Sequence, residues 1–364
     1  MIIEYPEYYE RFRCIGGACP DTCCAGWEVD VDEASAMYYQ GIKGAFGDRL
    51  RKALKKEDGF SFPLNEKGRC PFLNNQNLCD IYTTLGEESL SDTCTEYPRY
   101  FMDIGEYEQA DISLSCMELA RIFFETPLPY KYIRSENGVP FETMNAEEES
   151  TLAEVLSLRN QAIAIMSRED NAFFECFAEV RRIFAEAGGF SEEEFSGQNE
   201  ADLSEPVCEN TEQRQNKTAQ AGMTAVSSRF KQSLQLLQSL DSISPSWDNF
   251  LKAMEEVLRE PALDQREQLF RTENREKLAE WFRKLSVYFI YRYTIDFMLD
   301  GDLLMEWRLI DRSLRLIYTL LFLYCVKEGK KTVETKDIIY ISHLFSREVE
   351  HDDQNIVTLK SRRT

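Results

Sequence analysis

Histidine is nearly absent from this sequence of 364 residues, which has only His343 and His351, both near the C-terminus. The chain also lacks an HExxH pair, a GxGxxG turn and a GxxxxGK[ST] loop, so the usual zinc-protease, dinucleotide and P-loop sites are excluded. We expect no histidine chemistry beside the N-terminal cysteines unless the chain folds back. His343 lies within an apolar stretch, which predicts a core position.

Basic residues are outnumbered as well. The 42 Lys and Arg face 64 Asp and Glu, giving a formal net charge of −22 and a pI near 4.7. Binding a nucleic-acid backbone needs clustered positive charge, so we expect no nucleic-acid partner. An acidic surface suits a basic partner, but the same excess also keeps a bacterial cytosolic protein soluble, and we take solubility as the first explanation.

Long apolar runs are missing too. The N-terminus carries Glu4, Glu7 and Glu10 where a secretory signal would carry positive charge. The longest apolar run, 316–326, is interrupted by Thr319 and is far shorter than the ~20 residues of a membrane span. The sequence therefore predicts a cytoplasmic protein without a membrane partner, with 316–326 as a buried helix.

Cysteine, by contrast, is abundant and clustered. In a reducing compartment thiols persist as metal ligands or catalysts rather than as disulfides. Of the eleven cysteines, Cys176, Cys208 and Cys325 are scattered, and Cys176 is expected to be a small buried hydrophobe. The other eight lie in the first third of the chain and predict a metal-binding domain: Cys14, Cys19, Cys23, Cys24, Cys70, Cys79, Cys94 and Cys116.

The spacing of the first cysteines favours an iron–sulfur cluster. Cys14, Cys19 and Cys23 form C-x4-C-x3-C, one residue from the plant ferredoxin spacing C-x4-C-x2-C. The chain could fold back through Gly16 and Gly17, and a helical turn opened at Pro20 would place Cys19 and Cys23 on one face.

Two other metal chemistries were weighed against the cluster. Cys23 and Cys24 are adjacent, so both thiols seldom reach one metal atom, a constraint that a larger cluster relaxes. Eight cysteines could also make two zinc sites of four thiolates each, but the C-x2-C pairs of zinc ribbons are absent, so zinc is the second choice. The radical S-adenosylmethionine signature C-x3-C-x2-C fails because Gly26 stands at its third cysteine.

Local patterns predict the elements that carry these cysteines. We expect a helix over 33–56, with Asp30 or Asp32 as its cap, between the two cysteine groups. Asparagines 74, 75 and 77 favour a hairpin with Cys70 and Cys79 facing each other near its arms. Ser115 is expected to cap a helix whose positive end favours a Cys116 thiolate.

Beyond the cysteines, apolar residues recur at helical spacing. Two segments, 146–169 and 171–189, predict helices, the second ending at Gly188-Gly189. Aromatic residues crowd 281–297, which favours bundle core over a ligand pocket. The chain is predicted to be mainly α, with a small loop-rich cysteine module followed by a helical region, in four parts: the module over 1–125, a helical region over 126–195, a polar loop or linker over 196–222 and a helical C-terminal region over 223–364.

Three cysteine-bearing stretches resemble one family. FRCIGGACPDTCCAGWEVDVD, CPFLNNQNLCDIY and DTCTEYPRYF are similar to the bacterial flagellin lysine-N-methylase family, which shares its cysteine pattern with domains called zinc- or iron-chelating. The resemblance covers about residues 8–120. It implies methyl transfer from S-adenosylmethionine to surface lysines of flagellin, with a required [4Fe–4S] cluster. The eight clustered cysteines are its candidate ligands, of which four would suffice.

Lysine methylation requires a neutral amine aligned with the sulfonium methyl group. Five residues near the module could supply a base or an aromatic lining, although a cap or core role is expected first for each: Trp27, Asp30, Asp32, Tyr82 and Tyr97. Two other functions remain open. One is a non-enzymatic iron- or zinc-binding or delivery protein, and the other is an iron–sulfur redox enzyme.

Overall fold

The computed structural model of the chain describes residues 1–57, 59–136, 142–169, 172–191 and 219–361, with only the backbone at 219–226. Over these residues the protein is mainly α-helical, as predicted, and its strands are confined to the first 136 residues. Part of the predicted polar loop, 196–218, and Cys208 with it, lies outside the described residues.

Seven strands form two sheets within the cysteine-rich part of the chain. They are β1 Ile2–Pro6, β2 Val29–Val31, β3 Lys55–Lys56, β4 Phe60–Phe62, β5 Arg99–Ile104, β6 Tyr107–Ile112 and β7 Tyr132–Glu136. The larger sheet has the order β5-β6-β1-β7, with β1 parallel to β6 and antiparallel to β7. The smaller sheet has the order β2-β4-β3. The first strand thus pairs with strands more than 90 residues away, so it was not visible in local sequence patterns.

The helices surround these sheets and fill the rest of the chain. The first eight are α1 Tyr8–Arg11, α2 Glu33–Gly41, α3 Gly44–Ala53, α4 Asp80–Leu85, α5 Asp92–Glu96, α6 Met117–Glu125, α7 Ala146–Met166 and α8 Phe173–Gly188. The C-terminal ones are α9 Ala219–Gln238, α10 Pro245–Val257, α11 Leu263–Glu273, α12 Arg275–Tyr293, α13 Phe297–Asp300, α14 Leu303–Lys327, α15 Thr335–Phe345 and α16 Asp353–Ser361. A π-helix, Ser346–Glu350, continues α15 directly.

Local chemistry explains where several helices begin and end. Asn145 forms a capping box at the start of α7, and Ser244 caps α10, whose first residue is Pro245. The left-handed Gly189 ends α8, as its Gly-Gly pair predicted. The two helices predicted after the cysteine module are therefore confirmed.

The single helix predicted over 33–56 is wrong. The chain forms α2 and α3, which are separated at 42–43, and then enters β3. Gly44 has a φ of +82°, which breaks the helical path. The Arg51 guanidinium donates to the carbonyls of Gln40 and Ile42, so the freed backbone acceptors at the break are satisfied.

The main core lies among the helices and includes Ile112 of the larger sheet. Helix α14 is buried along most of its length, including the predicted buried run 316–326. The aromatic run of α12 is also core, and its tyrosine hydroxyls have partners: Tyr288 and Tyr293 donate to Glu350, and Tyr291 donates to the Glu4 carbonyl. None of the described helices is both long and apolar enough to span a membrane.

The cysteine module has a second, small core of its own. It is built from Val31, Ala36, Tyr39, Leu50, Phe62, Cys70, Phe72 and Ile81. The larger sheet contributes instead to the main core through Ile112 of β6, and the adjacent Tyr8, Phe12 and Leu114 belong to the same core. Strand β7 pairs with β1 across the predicted boundary at residue 125, and the four-part division of the chain stays a prediction.

Candidate metal centre and its contact with the C-terminal helices

The first three cysteines lie on a tight loop. Gly16 has a φ of +54°, and its amide donates to the Cys14 sulfur at 3.4 Å. A Cβ on Gly17 would lie 2.6 Å from the Gln76 carbonyl oxygen, so only glycine fits there. The loop therefore folds back through these glycines as predicted. The helical turn expected at Pro20 is not formed, because the chain from residue 20 to 24 consists of bends and turns.

Cys70 and Cys79 lie at the two ends of a loop rather than on a hairpin with paired strands. The Asn74 side chain accepts from the amides of Gln76 and Leu78, and one isolated bridge joins Leu73 to Cys79. These side-chain bonds to the backbone replace the strand ladder that the predicted hairpin would need. Cys70 is buried, and Cys79 immediately precedes α4.

Cys116 is placed differently from the prediction. It occupies the N-cap position of α6 itself, and no side chain caps that helix. Burial raises the pKa of the Cys116 thiol to about 11. Since desolvation disfavours the charged form, the helix end alone does not hold this cysteine as a thiolate.

The eight thiols are named in two sets by the residues around them. The core set comprises Cys24, Cys70 and Cys79, which belong to or pack against the small core of the module, together with Cys94 on α5. The junction set comprises Cys14, Cys19 and Cys23 of the cysteine loop and Cys116, which packs against the main core.

In the junction set, a hydrogen bond with Cys24 and burial raise the pKa of Cys23, and the charges of Cys14 and Cys116 raise it further. In the core set, burial raises the pKa of Cys70 to about 12, with added contributions from the other three members.

Cys23 and Cys24 connect the two sets. Their thiols share a hydrogen bond that lowers the pKa of Cys24, against the opposing effect of burial. Their backbones are anchored to different partners: the Cys23 carbonyl accepts from the Trp27 indole at 2.7 Å, and the Cys24 carbonyl accepts from the Cys70 amide at 2.8 Å.

The donor chemistry of each set fits an iron–sulfur cluster. Four thiolates are the ligand set of a [4Fe–4S] cluster and also of structural zinc. Within the described parts of the chain, no three histidine, cysteine or carboxylate side chains are grouped as ligands of a single metal ion.

The junction set faces the C-terminal helices through Asp21. One Asp21 oxygen lies 2.8 Å from His343 Nε2, and the other accepts from Arg347 Nη1 at 2.6 Å. These two partners lower the pKa of Asp21 although burial alone would raise it. The Arg347 guanidinium also donates to the Ala25 carbonyl and lies 4.6 Å from the Trp27 ring centre.

His351 completes this contact. Its Nε2 lies 2.7 Å from the Ser115 hydroxyl oxygen, and its ring centre is 5.2 Å from that of Trp27 and 6.0 Å from that of Tyr97. The chain folds back, which is the condition that the sequence set for histidine chemistry beside the cysteines, because α15 and the π-helix return to the module. His343 is fully buried, as predicted, but it also binds Asp21.

Three buried ionisable side chains lie together near His351. Arg292 is 3.6 Å from both Asp111 Oδ2 and Glu350 Oε1, and all three side chains are nearly inaccessible. Burial raises the pKa of Asp111 to about 7 despite the nearby Arg292. The Tyr8 hydroxyl lies 3.5 Å from Asp111 Oδ1, and the ring of Tyr100 lies 4.1 Å from the Arg292 guanidinium carbon.

Of the residues named from the sequence, Trp27 and Tyr97 are brought together beside the cysteines, with ring centres 5.6 Å apart. Asp32 is a helix cap whose oxygens accept from the amides of Ser35 and Asp92. Asp30 and Tyr82 are exposed. Local sequence patterns did not reveal the contacts made by the C-terminal region, namely those of His343 and Arg347 with Asp21, those of His351, and those of Arg292 with Asp111 and Glu350. Charged residues inside the apolar stretches YFIYRYT and SREVEH were the available signal.

Comparison with known proteins places the chain in a family. The family model described as the FliB lysine N-methylase C-terminal domain matches residues 190–362. The chain is 30% identical over 134 residues to the flagellar biosynthetic protein FliU of Salmonella muenchen, covering 35% of this chain and 79% of that protein. Over matches of the same length, the chain is 30% identical to a lysine-N-methylase of Salmonella typhimurium and 29% identical to one of Salmonella choleraesuis. Each of these matches covers 33% of the relative.

The chain therefore belongs to the flagellin lysine-N-methylase family, as the cysteine-bearing stretches predicted. Its match spans a third of the length of the two curated lysine-N-methylases. No solved structure matches the chain.

Proposed function

We propose that this chain is a protein-lysine N-methyltransferase that acts in the cytoplasm. It transfers the methyl group of S-adenosylmethionine to the ε-amine of flagellin lysines, and a [4Fe–4S] cluster held by its N-terminal cysteines is the required cofactor. Family membership supports the reaction class. The observation that carries the proposal is the contact between the junction set of cysteines and the aromatic and charged residues of the C-terminal region.

Methyl transfer to a lysine requires particular properties of the residues around the reacting amine. The amine nitrogen attacks the sulfonium methyl carbon, a new C–N bond forms, and the C–S bond breaks to release S-adenosylhomocysteine. The amine must lose a proton to expose its lone pair, and desolvation favours that neutral form. The cluster, when bound, would supply an iron atom for the amino and carboxylate groups of the donor or would hold the module together.

The protein's own residues match these demands. Trp27, Tyr97 and His351 form an aromatic wall beside the junction set, which would exclude water from an incoming amine. Burial raises the pKa of Asp111 to about 7, which is the range suited to a general base at neutral pH. The Ser113 hydroxyl lies 3.3 Å from His351 Nε2 and is two residues from Asp111.

The test uses the full chain purified without oxygen. Binding of S-adenosylmethionine is measured by calorimetry, and flagellin from the same organism is examined by intact-mass spectrometry. We expect mass increments of single methyl groups on flagellin lysines. Binding of the donor with unchanged flagellin would contradict the substrate, and metal content without donor binding would favour the metal-delivery alternative.

A pair of variants tests the aromatic wall. Trp27→Leu removes a ring packed between Tyr97, His351 and Arg347, and we expect a loss of methyl transfer of about tenfold or more, since one misplaced contact in a site costs that much. Tyr82→Leu changes an aromatic residue of the same module that is half exposed. This control is expected to retain wild-type activity, and equal losses in both variants would argue against the wall.

A further inference from the structure

A patch of positive charge lies on the cysteine module of this acidic chain. Residues 43–56 contain six basic side chains and one acidic side chain, although the whole chain has a formal net charge of −22. We propose that this patch forms a docking cleft for an extended acidic segment of a partner protein. Binding at this cleft is a function separate from methyl transfer, and it is measured without that reaction.

The cleft is an open surface depression of about 510 Å³. It lies between the ends of α2 and α3 and the strands β3 and β4, and its lining residues are Gln40, Arg51, Leu54, Lys55, Lys56 and Phe60. Leu54 and Phe60 also pack against the small core of the module, which holds these apolar side chains in place. Binding clefts combine such an apolar lining with a few polar groups that orient the ligand.

The lysines of the cleft are available to a partner, whereas its arginine is engaged within the chain. The Arg51 guanidinium donates to the Asp48 carboxylate at 2.6 Å. Lys55 and Lys56 are exposed, and neither forms an ion pair with a carboxylate in the part of the chain that the structure describes. The Lys56 ammonium lies 4.9 Å from the centre of the Phe60 ring. Because the two cations lack an internal partner, their charge favours an acidic ligand.

The backbone at these lysines favours an extended ligand. Among the described strands, β3 pairs only with β4, so it forms one edge of the smaller sheet. A peptide that adds a strand along such an edge gains main-chain hydrogen bonds. Lysines on an edge strand discourage pairing with uncharged or basic strands, but opposite charges on facing strands stabilise each other. The edge therefore favours a strand that carries carboxylates.

The charge of the whole chain distinguishes an acidic peptide from a nucleic acid, the other kind of anionic polymer. A nucleic acid carries phosphates along its full length, and the acidic surface outside the patch repels them. A short acidic segment places its carboxylates on Lys55 and Lys56 and its apolar side chains near Leu54 and Phe60. The apolar lining of the cleft thus favours the peptide.

Fluorescence anisotropy on the full chain tests the docking. The probe is a labelled peptide of about eight residues with alternating Glu and Val, which places its carboxylates on one face when extended. We expect it to bind, and to bind more weakly as the salt concentration rises, whereas a peptide of alternating Lys and Val does not bind. Absence of binding by the Glu-Val peptide, or equal binding by the two peptides, would overturn the proposal. Tighter binding of a single-stranded DNA of similar length at the same cleft would also overturn it.

Charge-reversal variants locate the binding site. The double variant Lys55→Glu, Lys56→Glu is expected to bind the Glu-Val peptide about tenfold more weakly or worse, because repulsion replaces attraction. Lys231→Glu, Lys252→Glu makes the same change of charge at two exposed helical lysines and should bind like the wild type. Equal affinities of the two double variants, both folded by circular dichroism, would contradict the cleft.

Hydrogen exchange on the wild-type chain gives an independent location that does not depend on the folding of any variant. Binding of the Glu-Val peptide should slow exchange at the backbone amides of β3, since the added strand forms hydrogen bonds there. Slower exchange elsewhere, with β3 unchanged, would overturn the proposal.

Discussion

Gly26 shows how one residue has consequences in both the sequence and the structure. In the sequence it stands where a radical enzyme would need a third cysteine, which excludes that motif. In the structure its φ is +90°, and an added Cβ would lie 2.6 Å from Arg347 Nη2. The Arg347 guanidinium group occupies the space that a side chain at residue 26 would fill. The sequence could reveal the first role but not the second, because Arg347 is more than 300 residues away.

Gly26→Ala should weaken this contact. Both the left-handed backbone and the approach of Arg347 oppose a side chain, so we expect a loss of about 1–3 kcal/mol in the free energy of unfolding. Urea titration followed by circular dichroism measures it. Gly41→Ala is the control, since a Cβ there meets no atom within 4 Å. A Gly26→Ala variant as stable as the control would contradict the close packing of Arg347.

Asp111 should make stability depend on pH. Its native pKa of about 7 lies above that of an unfolded aspartic acid, about 3.9, so the native state keeps a proton that the unfolded state has lost. The stability contributed by the native proton is full below about pH 4 and is lost as the pH rises towards 7.

Asparagine cannot ionise, so the Asp111→Asn variant does not lose stability in this way as the pH rises. The free energy of unfolding of the variant minus that of the wild type should therefore rise by about 2–4 kcal/mol from about pH 4 to pH 8. Denaturant titrations at the two pH values measure the change. A difference between the two proteins that is independent of pH would mean that Asp111 is already ionised in the native state.

At the scale of elements, periodic sequence patterns predicted helices correctly, whereas strand pairings between distant parts of the chain could not be predicted. Apolar spacing predicted α7 and α8, and Gly188-Gly189 marked the end of α8. The larger sheet was missed because β1 pairs with β6 and β7, which follow about 100 residues later. The π-helix Ser346–Glu350 was missed as well, although π-helical segments are frequent at functional sites. Its position is set by contacts with the module that no local pattern encodes.

Asp21 is the residue that ties the π-helix and α15 to the cysteine loop. Asp21→Asn keeps the shape but removes the charge, so it weakens the bonds from His343 and Arg347. Because the Asp21 side chain is 41% exposed, we expect a modest loss of about 1–2 kcal/mol. Hydrogen exchange should increase in the cysteine loop and in the π-helix together. Asp30→Asn, at an exposed strand position, is the control and should leave both unchanged. Faster exchange in the loop alone would show that the two elements are not coupled.

At the scale of the whole molecule, the cysteine module and the C-terminal helical region are joined through Asp21, Trp27 and Ser115. The cysteine stretches identified the family, and the eight candidate ligands were all visible in the sequence. Which of them adjoin the small core was not, since that depends on how residues 24, 70 and 79 are placed in the folded module. The C-terminal partners of the module, Arg347 and His351, likewise required the folded chain.

The most direct test of the account follows a labelled methyl group. Full-length protein with its metal content intact is incubated without oxygen with flagellin and S-adenosylmethionine that carries a deuterated methyl group, and the flagellin peptides are sequenced by mass spectrometry. The account predicts the label on lysine ε-amines, with Trp27→Leu much slower than wild type and Tyr82→Leu equal to it. Flagellin without label, from protein that holds its metal and binds the donor, would contradict it.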